Sequence, residues 1–190
     1  MIKYIISVFF IYISIGLILF ISQRKILFNI SDKPNKPEDY ELKNIKELQI
    51  KTLDGIDLLA WYSRPKPNQP LLVYFHGNSF DIGERAYRIK RYIDQNWSIL
   101  LISWRGYSGN KGNPTEKNLY IDGEAAIKWI IENTNYQFKD LVIYGESLGS
   151  GIAVELGRKY EFASIVLEAP FTSVADIEKH VISFTLKVWK

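Results

Sequence analysis

A chain of 190 residues that is 47% hydrophobic and 24% charged is long enough and apolar enough for one globular domain with its own core. Its net charge of +3 comes from lysines and arginines scattered along the sequence without a basic block, which argues against nucleic acid as a partner. The lack of cysteine excludes disulfides, a thiol nucleophile and thiolate metal sites, and two histidines, His76 and His180, make no histidine-rich metal centre, so neither metal nor cofactor is expected.

The first predicted element is Tyr4 to Ser22, 19 residues without a charge. As a helix rising about 1.5 Å per residue, it matches a bilayer core of about 30 Å. Gln23-Arg24-Lys25 closes it abruptly. It is long for a signal peptide, and no A-x-A-like cleavage site follows. Residues 1–25 are therefore expected to be an uncleaved single-pass membrane anchor. Lys3 and the α-amino group on one side face Arg24, Lys25, Lys33 and Lys36 on the other, a count that leans towards a cytoplasmic domain. Residues 26–46 read as a linker, since Ser31 to Tyr40 is polar and carries two prolines.

Residues 47–190 read as one domain in which strands and helices alternate. Leu48–Thr52 and Ile56–Tyr62 flank Asp54-Gly55, a hairpin signal. A proline-rich connection, Pro65 to Pro70, leads to a buried-type strand at Leu71–Phe75. A helix at Ile82–Tyr92, a strand at Ser98–Trp104 and a helix at Thr115–Glu132 follow. A strand at Leu141–Tyr144, a helix through Ile152–Leu156 and a strand at Ser164–Leu167 complete the series. Ser173, with Asp176 three residues on, reads as the capping box of a further helix. Apolar strands alternating with helices predict an α/β fold with a mostly parallel sheet covered on both faces.

Two short motifs carry chemistry. Gly145-Glu146-Ser147-Leu148-Gly149 lies between the strand at Leu141 and the helix at Ile152. Strand, G-x-S-x-G, helix is the pattern of a nucleophile elbow: the turn exposes Ser147, and Gly145 and Gly149 let strand and helix approach. The backbone N–H of Leu148 would face a reacting carbonyl. His76-Gly77-Asn78 follows the strand Leu71–Phe75, where the second oxyanion-hole N–H of such a site arises, here from Asn78. His76 itself is expected to pack beneath this loop. Arg105-Gly106-Tyr107-Ser108-Gly109 reads as a structural loop near the pocket.

These motifs, quoted as YFHGNSFDIGERAYR, SWRGYSGNKGNPTE, IYGESLGSGIAVEL and LEAPFTSVADI, resemble the membrane-anchored branch of the α/β-hydrolase superfamily. That branch is similar to the protein depalmitoylases and the serine aminopeptidase-like hydrolases. The resemblance runs from about Ile26 to about Ile182. It implies an eight-stranded sheet, a Ser-Asp-His triad without cofactor, and hydrolysis of small acyl esters, thioesters or amides. Carried over, Ser147 matches the nucleophile, and Asn78 and Leu148 match the oxyanion donors.

The triad Asp and His, which in the family follow the seventh and eighth strands, have no match. Of the later residues, Glu168 is a candidate acid at a strand end, and Asp176 and His180 would pair with each other on one helix. The expectation is thus an α/β-hydrolase fold lacking its last two strands, shortened at the C-terminus and inactive alone. Two alternatives remain open. One is half of a split hydrolase, completed in trans by a C-terminal chain that supplies the Asp and His. The other is a non-catalytic, membrane-tethered binding module.

Overall fold

The computed structural model describes residues 2–64 and 69–173. Asp176 of the expected capping box, His180 and most of the Pro65–Pro70 connection lie outside the described residues.

The chain opens on a helix, α1 (Ile2–Leu27). Its stretch Lys3–Ser22 has mean hydropathy 2.6 and none of it is buried against the domain. A helix apolar all round and unpacked suits a lipid environment better than water, and its length is enough to cross a bilayer.

Among the described residues six strands form one sheet: β1 (Ile45–Lys51), β2 (Asp57–Ser63), β3 (Leu71–Phe75), β4 (Ser98–Ile102), β5 (Leu141–Glu146) and β6 (Ser164–Glu168). Their order across the sheet is β1-β2-β4-β3-β5-β6. β1 and β2 form the expected hairpin, with Lys51 opposite Asp57. Its turn is closed by the Gly55 N–H on the Thr52 carbonyl, and Gly55 takes φ 84°, which glycine adopts at little cost. β2 also pairs antiparallel with β4, whereas β3, β4, β5 and β6 run parallel. The sheet is covered by helices α2 (Ala86–Asp94), α3 (Glu116–Asn133) and α4 (Leu148–Gly157).

Alternation along the strands divides the core in two. Leu71, Val73 and Phe75 join Leu100, Ile102, Leu119, Ile130, Ile152 and Leu156 on the α3–α4 side. Leu72 and Tyr74 join Ile99, Leu101, Ile82 and Ile89 on the α2 side. Residues one apart on a strand point to opposite faces, so both sets are apolar only because both faces are covered.

Three local outcomes differ from the sequence reading. The helix expected at Ile82–Tyr92 begins with a 3-10 turn, Ile82–Arg85, because the Asp81 carboxylate accepts the Gly83 N–H at 2.7 Å. β4 stops at Ile102, after which Ser103 and Trp104 bond out of the strand pattern. The stretch read as linker is packed on the domain: Phe28 and Leu42 are 8% and 2% exposed, Pro34 and Pro37 are buried, and the β1 strand begins at Ile45. Isolated buried residues among polar ones leave no periodic signal.

Candidate active site

The elbow follows from its glycines. Ser147 has φ 47° and ψ −110°, a sparsely populated conformation that a non-glycine residue holds only under constraint from its surroundings. A Cβ on Gly149 would lie 2.0 Å from the Phe75 carbonyl oxygen, and one on Gly145 would lie 2.6 Å from the Ser150 Cα. Helix α4 therefore starts against β3 and β5 at a distance that side chains forbid. Its first turn is fixed by the Ser150 N–H and hydroxyl, which both donate to the Ser147 carbonyl, at 2.8 and 2.6 Å. The Ser147 N–H donates to the Glu168 carbonyl at 2.8 Å.

Leu148 is the first residue of α4, where N–H groups have no partner within the helix. The turn after β3 lies against the elbow: a Cβ on Gly77 would sit 3.1 Å from Glu146 Oε1 and 3.4 Å from the Ser147 Cβ. The structure thus brings together Ser147, Leu148 and the Gly77-Asn78 turn, with Gly145 and Gly149 behind them.

His76 is fully buried beneath that turn. Its Nδ1 lies 2.7 Å from the Gly77 carbonyl and its Nε2 lies 3.4 Å from the Trp104 N–H, so the ring carries its proton on Nδ1. The Trp104 indole N–H donates to the His76 carbonyl at 3.0 Å. Burial, and then the nearby Arg85 charge, push the His76 pKa down to about 3. With both nitrogens engaged, His76 is a neutral strut for the loop, as its position in the sequence suggests. Glu168, the other candidate acid, is held by Arg88 and by the Tyr144 hydroxyl. Among the described residues no further histidine stands near Ser147.

Two features of the site are not visible in its motifs. The first is a clamp. Arg85 donates to both oxygens of Glu146, at 3.2 and 3.0 Å, and the Tyr74 hydroxyl adds a third bond at 2.9 Å. Arg85 also donates to the Ser79 and Asp81 carbonyls, so one guanidinium ties the loop carrying Asn78 to the residue before Ser147. Burial alone would raise the Glu146 pKa, but the bonds and charge of Arg85 outweigh it and hold the carboxyl below its usual range. The only hint in the sequence is an acid at the end of an apolar strand, which demands a cationic partner. The second feature is Tyr107, whose hydroxyl donates to Asn78 Oδ1.

Arg105 is structural, as expected. It is 2% exposed and spans the Asp122 carboxylate, at 2.6 Å, and Asp54 in the β1–β2 turn, at 2.7 Å. The Asp54-Gly55 dipeptide, read as a turn signal, is thus also an ion-pair partner.

The chain is similar to several known proteins. No family model matches the chain. It is 32% identical over 166 residues to Rv2307c, an uncharacterised protein of Mycobacterium tuberculosis, covering 85% of this chain and 59% of that one. It is 30% identical over 148 residues to the bem46 protein of Schizosaccharomyces pombe, covering 74% and 49%. It is 35% identical over 133 residues to human alpha/beta hydrolase domain-containing protein 17B, covering 68% and 46%. Among solved structures, the Pyrococcus furiosus esterase Pf2001 matches 84% of the chain and 62% of its own with a TM-score of 0.67 at 16% identity. An alpha-beta hydrolase from Vibrio vulnificus matches 70% and 48% with a TM-score of 0.61 at 24% identity.

The chain belongs to the α/β-hydrolase superfamily. The superfamily named from the motifs is therefore the right one, and the fold class is that of its solved members. This α/β-hydrolase chain spans about half the length of the curated relatives it matches.

Proposed function

We propose that this chain carries the nucleophile and oxyanion hole of a membrane-anchored serine hydrolase acting on acyl esters, thioesters or amides. The strained Ser147 is the observation that carries this reading: φ 47° between Gly145 and Gly149, with the Gly77-Asn78 turn against it. A side chain is held in such a conformation where the strain serves a site.

In this mechanism Ser147 Oγ attacks the acyl carbonyl carbon, and its proton passes to a histidine base. The oxyanion that forms accepts from the backbone N–H groups of Asn78 and Leu148. The C–O, C–S or C–N bond then breaks, and the leaving group takes the proton. Water, deprotonated by the same base, cleaves the acyl-serine and regenerates the hydroxyl. Without the base, Ser147 is a weak nucleophile. The acid and base have no match among the described residues, so in this reading they are supplied by a further segment that completes the site. Taken alone, the 190-residue chain is expected to be inactive. The apolar helix α1 would hold the site at a bilayer, with the domain on the cytoplasmic side.

The test is covalent labelling of the full chain in lipid nanodiscs with a fluorophosphonate. The chain alone is expected to give no adduct. Addition of a segment with two apolar strands, followed by an Asp and a His, is expected to give an adduct on Ser147 that Ser147→Ala removes. An adduct on the unsupplemented chain would overturn its dependence on a supplied base. No adduct under either condition overturns the nucleophile role.

A further inference from the structure

The segment that follows helix α1 makes contacts that a tether does not need. Phe28 belongs to the α3–α4 side of the core, together with Trp104 and Tyr107. The Ser31 carbonyl accepts the Gly109 N–H at 3.0 Å, and the Ser31 hydroxyl accepts the Ser108 N–H at 3.0 Å. Gly109, at φ 75°, lies close against the segment: a Cβ there would be a tight 3.2 Å from that of Lys33. Residues 28–33 therefore lie along the 104–110 loop as a strap.

That loop in turn holds the oxyanion loop. The Tyr107 hydroxyl donates to Asn78 Oδ1, and its ring shares the core with Phe28 of the strap. The Ser108 hydroxyl, in a residue at φ 52°, accepts the Ile82 N–H at 3.2 Å and the Ser103 hydroxyl at 2.7 Å. Tyr107 is fully buried, so its hydroxyl has no water to exchange its bond to Asn78 for.

We infer that Tyr107 is a positioning residue for the oxyanion donor Asn78, and that residues 28–33 set Tyr107, so that the path of the chain out of helix α1 governs the geometry of the oxyanion hole. The roles of Ser147 and Asn78 in this inference rest on the function proposed above. The coupling itself is a matter of hydrogen bonds and is measurable without catalysis.

Amide hydrogen exchange on the full chain in phosphatidylcholine nanodiscs tests it. Tyr107→Phe keeps the ring and removes only the hydroxyl. It is expected to speed exchange at residues 77–80 by about tenfold, the loss of one net hydrogen bond, with β3 and β5 as protected as before. Ser31→Ala is expected to loosen 107–109 and, to a smaller degree, 77–80. Asn78→Ala removes the other end of the Tyr107 bond without disturbing a buried ring and should open the same residues. Unchanged protection at 77–80 in both Tyr107→Phe and Asn78→Ala overturns the positioning role. Loosening of 107–109 in Ser31→Ala with no response at 77–80 overturns the role of the strap.

In the chain supplied with acid and histidine, Tyr107→Phe should lower the maximal rate of Ser147 phosphonylation and leave the half-saturating concentration unchanged. A variant whose half-saturating concentration rises at constant maximal rate counts against positioning. If Ser147 reacts in no form, the proposed function fails, while the exchange result still decides the coupling.

Discussion

Ser147 and Gly149 show how one short turn commits backbone energy to a site. Conformations such as φ 47°, ψ −110° cost on the order of 1–3 kcal/mol for a residue with a Cβ. Ser147→Gly should therefore stabilise the domain by about 1 kcal/mol after the entropic cost of glycine, whereas Ser147→Ala should not. Urea denaturation of the two variants separates strain from chemistry, and equal midpoints would contradict it. Gly149→Ala has the opposite sign. Its Cβ would meet backbone, 2.0 Å from the Phe75 oxygen, so a cost at or above the usual overpacking range of about 1–3 kcal/mol is expected in the same measurement. His76 adds a pH dependence. An unfolded histidine titrates near 6.5, but in the fold its pKa is held down to about 3. Between these values the unfolded chain binds a proton that the folded chain refuses. The contribution of neutral His76 is thus complete above about pH 6.5 and declines as pH falls towards 3, by on the order of 1 kcal/mol per pH unit. Stability measured from pH 6.5 to 4.5 should fall more steeply in the parent chain than in His76→Gln.

At the level of elements, the Arg85–Glu146 clamp joins the turn before α2 to the end of β5. Their side chains are 8% and 16% exposed, so removing one partner leaves a charge with little water to turn to. Glu146→Gln should cost about 3 kcal/mol, and Arg85→Met with Glu146→Leu should recover most of that loss. A double-mutant cycle in urea checks it, and additive losses would show that the two groups do not act as a pair. The Glu146 pKa is depressed in the fold, so this stabilisation is present above the ordinary carboxylate range and lost as pH falls through the folded value. The clamp also marks the limit of what the sequence reveals. Strands β3 to β6 and the elbow are legible because apolar runs and glycine spacings are local patterns. Arg85 and Glu146 are 61 residues apart, and Tyr107 and Asn78 are 29 apart. No period connects them, and only the fold brings each pair into contact. The strap is hidden for a related reason: Phe28 and Leu42 are buried singly within a polar, proline-bearing stretch.

For the whole molecule, the decisive region is the outer edge of the sheet. Among the described residues β6 is its outermost strand on that side, and Ile165, Val166 and Leu167 are 39%, 41% and 38% exposed. Successive strand residues face opposite sides, so apolar surface is exposed on both faces of β6 at once. An edge strand of this kind is a template for pairing with another strand. Curated relatives are longer than the matched region, which amounts to 59%, 49% and 46% of their lengths. A further strand beside β6 would cover the edge and carry the chain, or a partner chain, towards the C-terminal ends of the strands where Ser147 stands. Val166→Lys places a charge on that surface and separates self-association from productive pairing. On its own, the variant should remain monomeric in nanodiscs at concentrations where the parent chain associates, as read by sedimentation velocity. With the acid- and histidine-bearing segment added, it should fail to recover fluorophosphonate labelling while the parent recovers it. Labelling restored in Val166→Lys to the parent level would show that the missing groups reach Ser147 by a route other than the β6 edge.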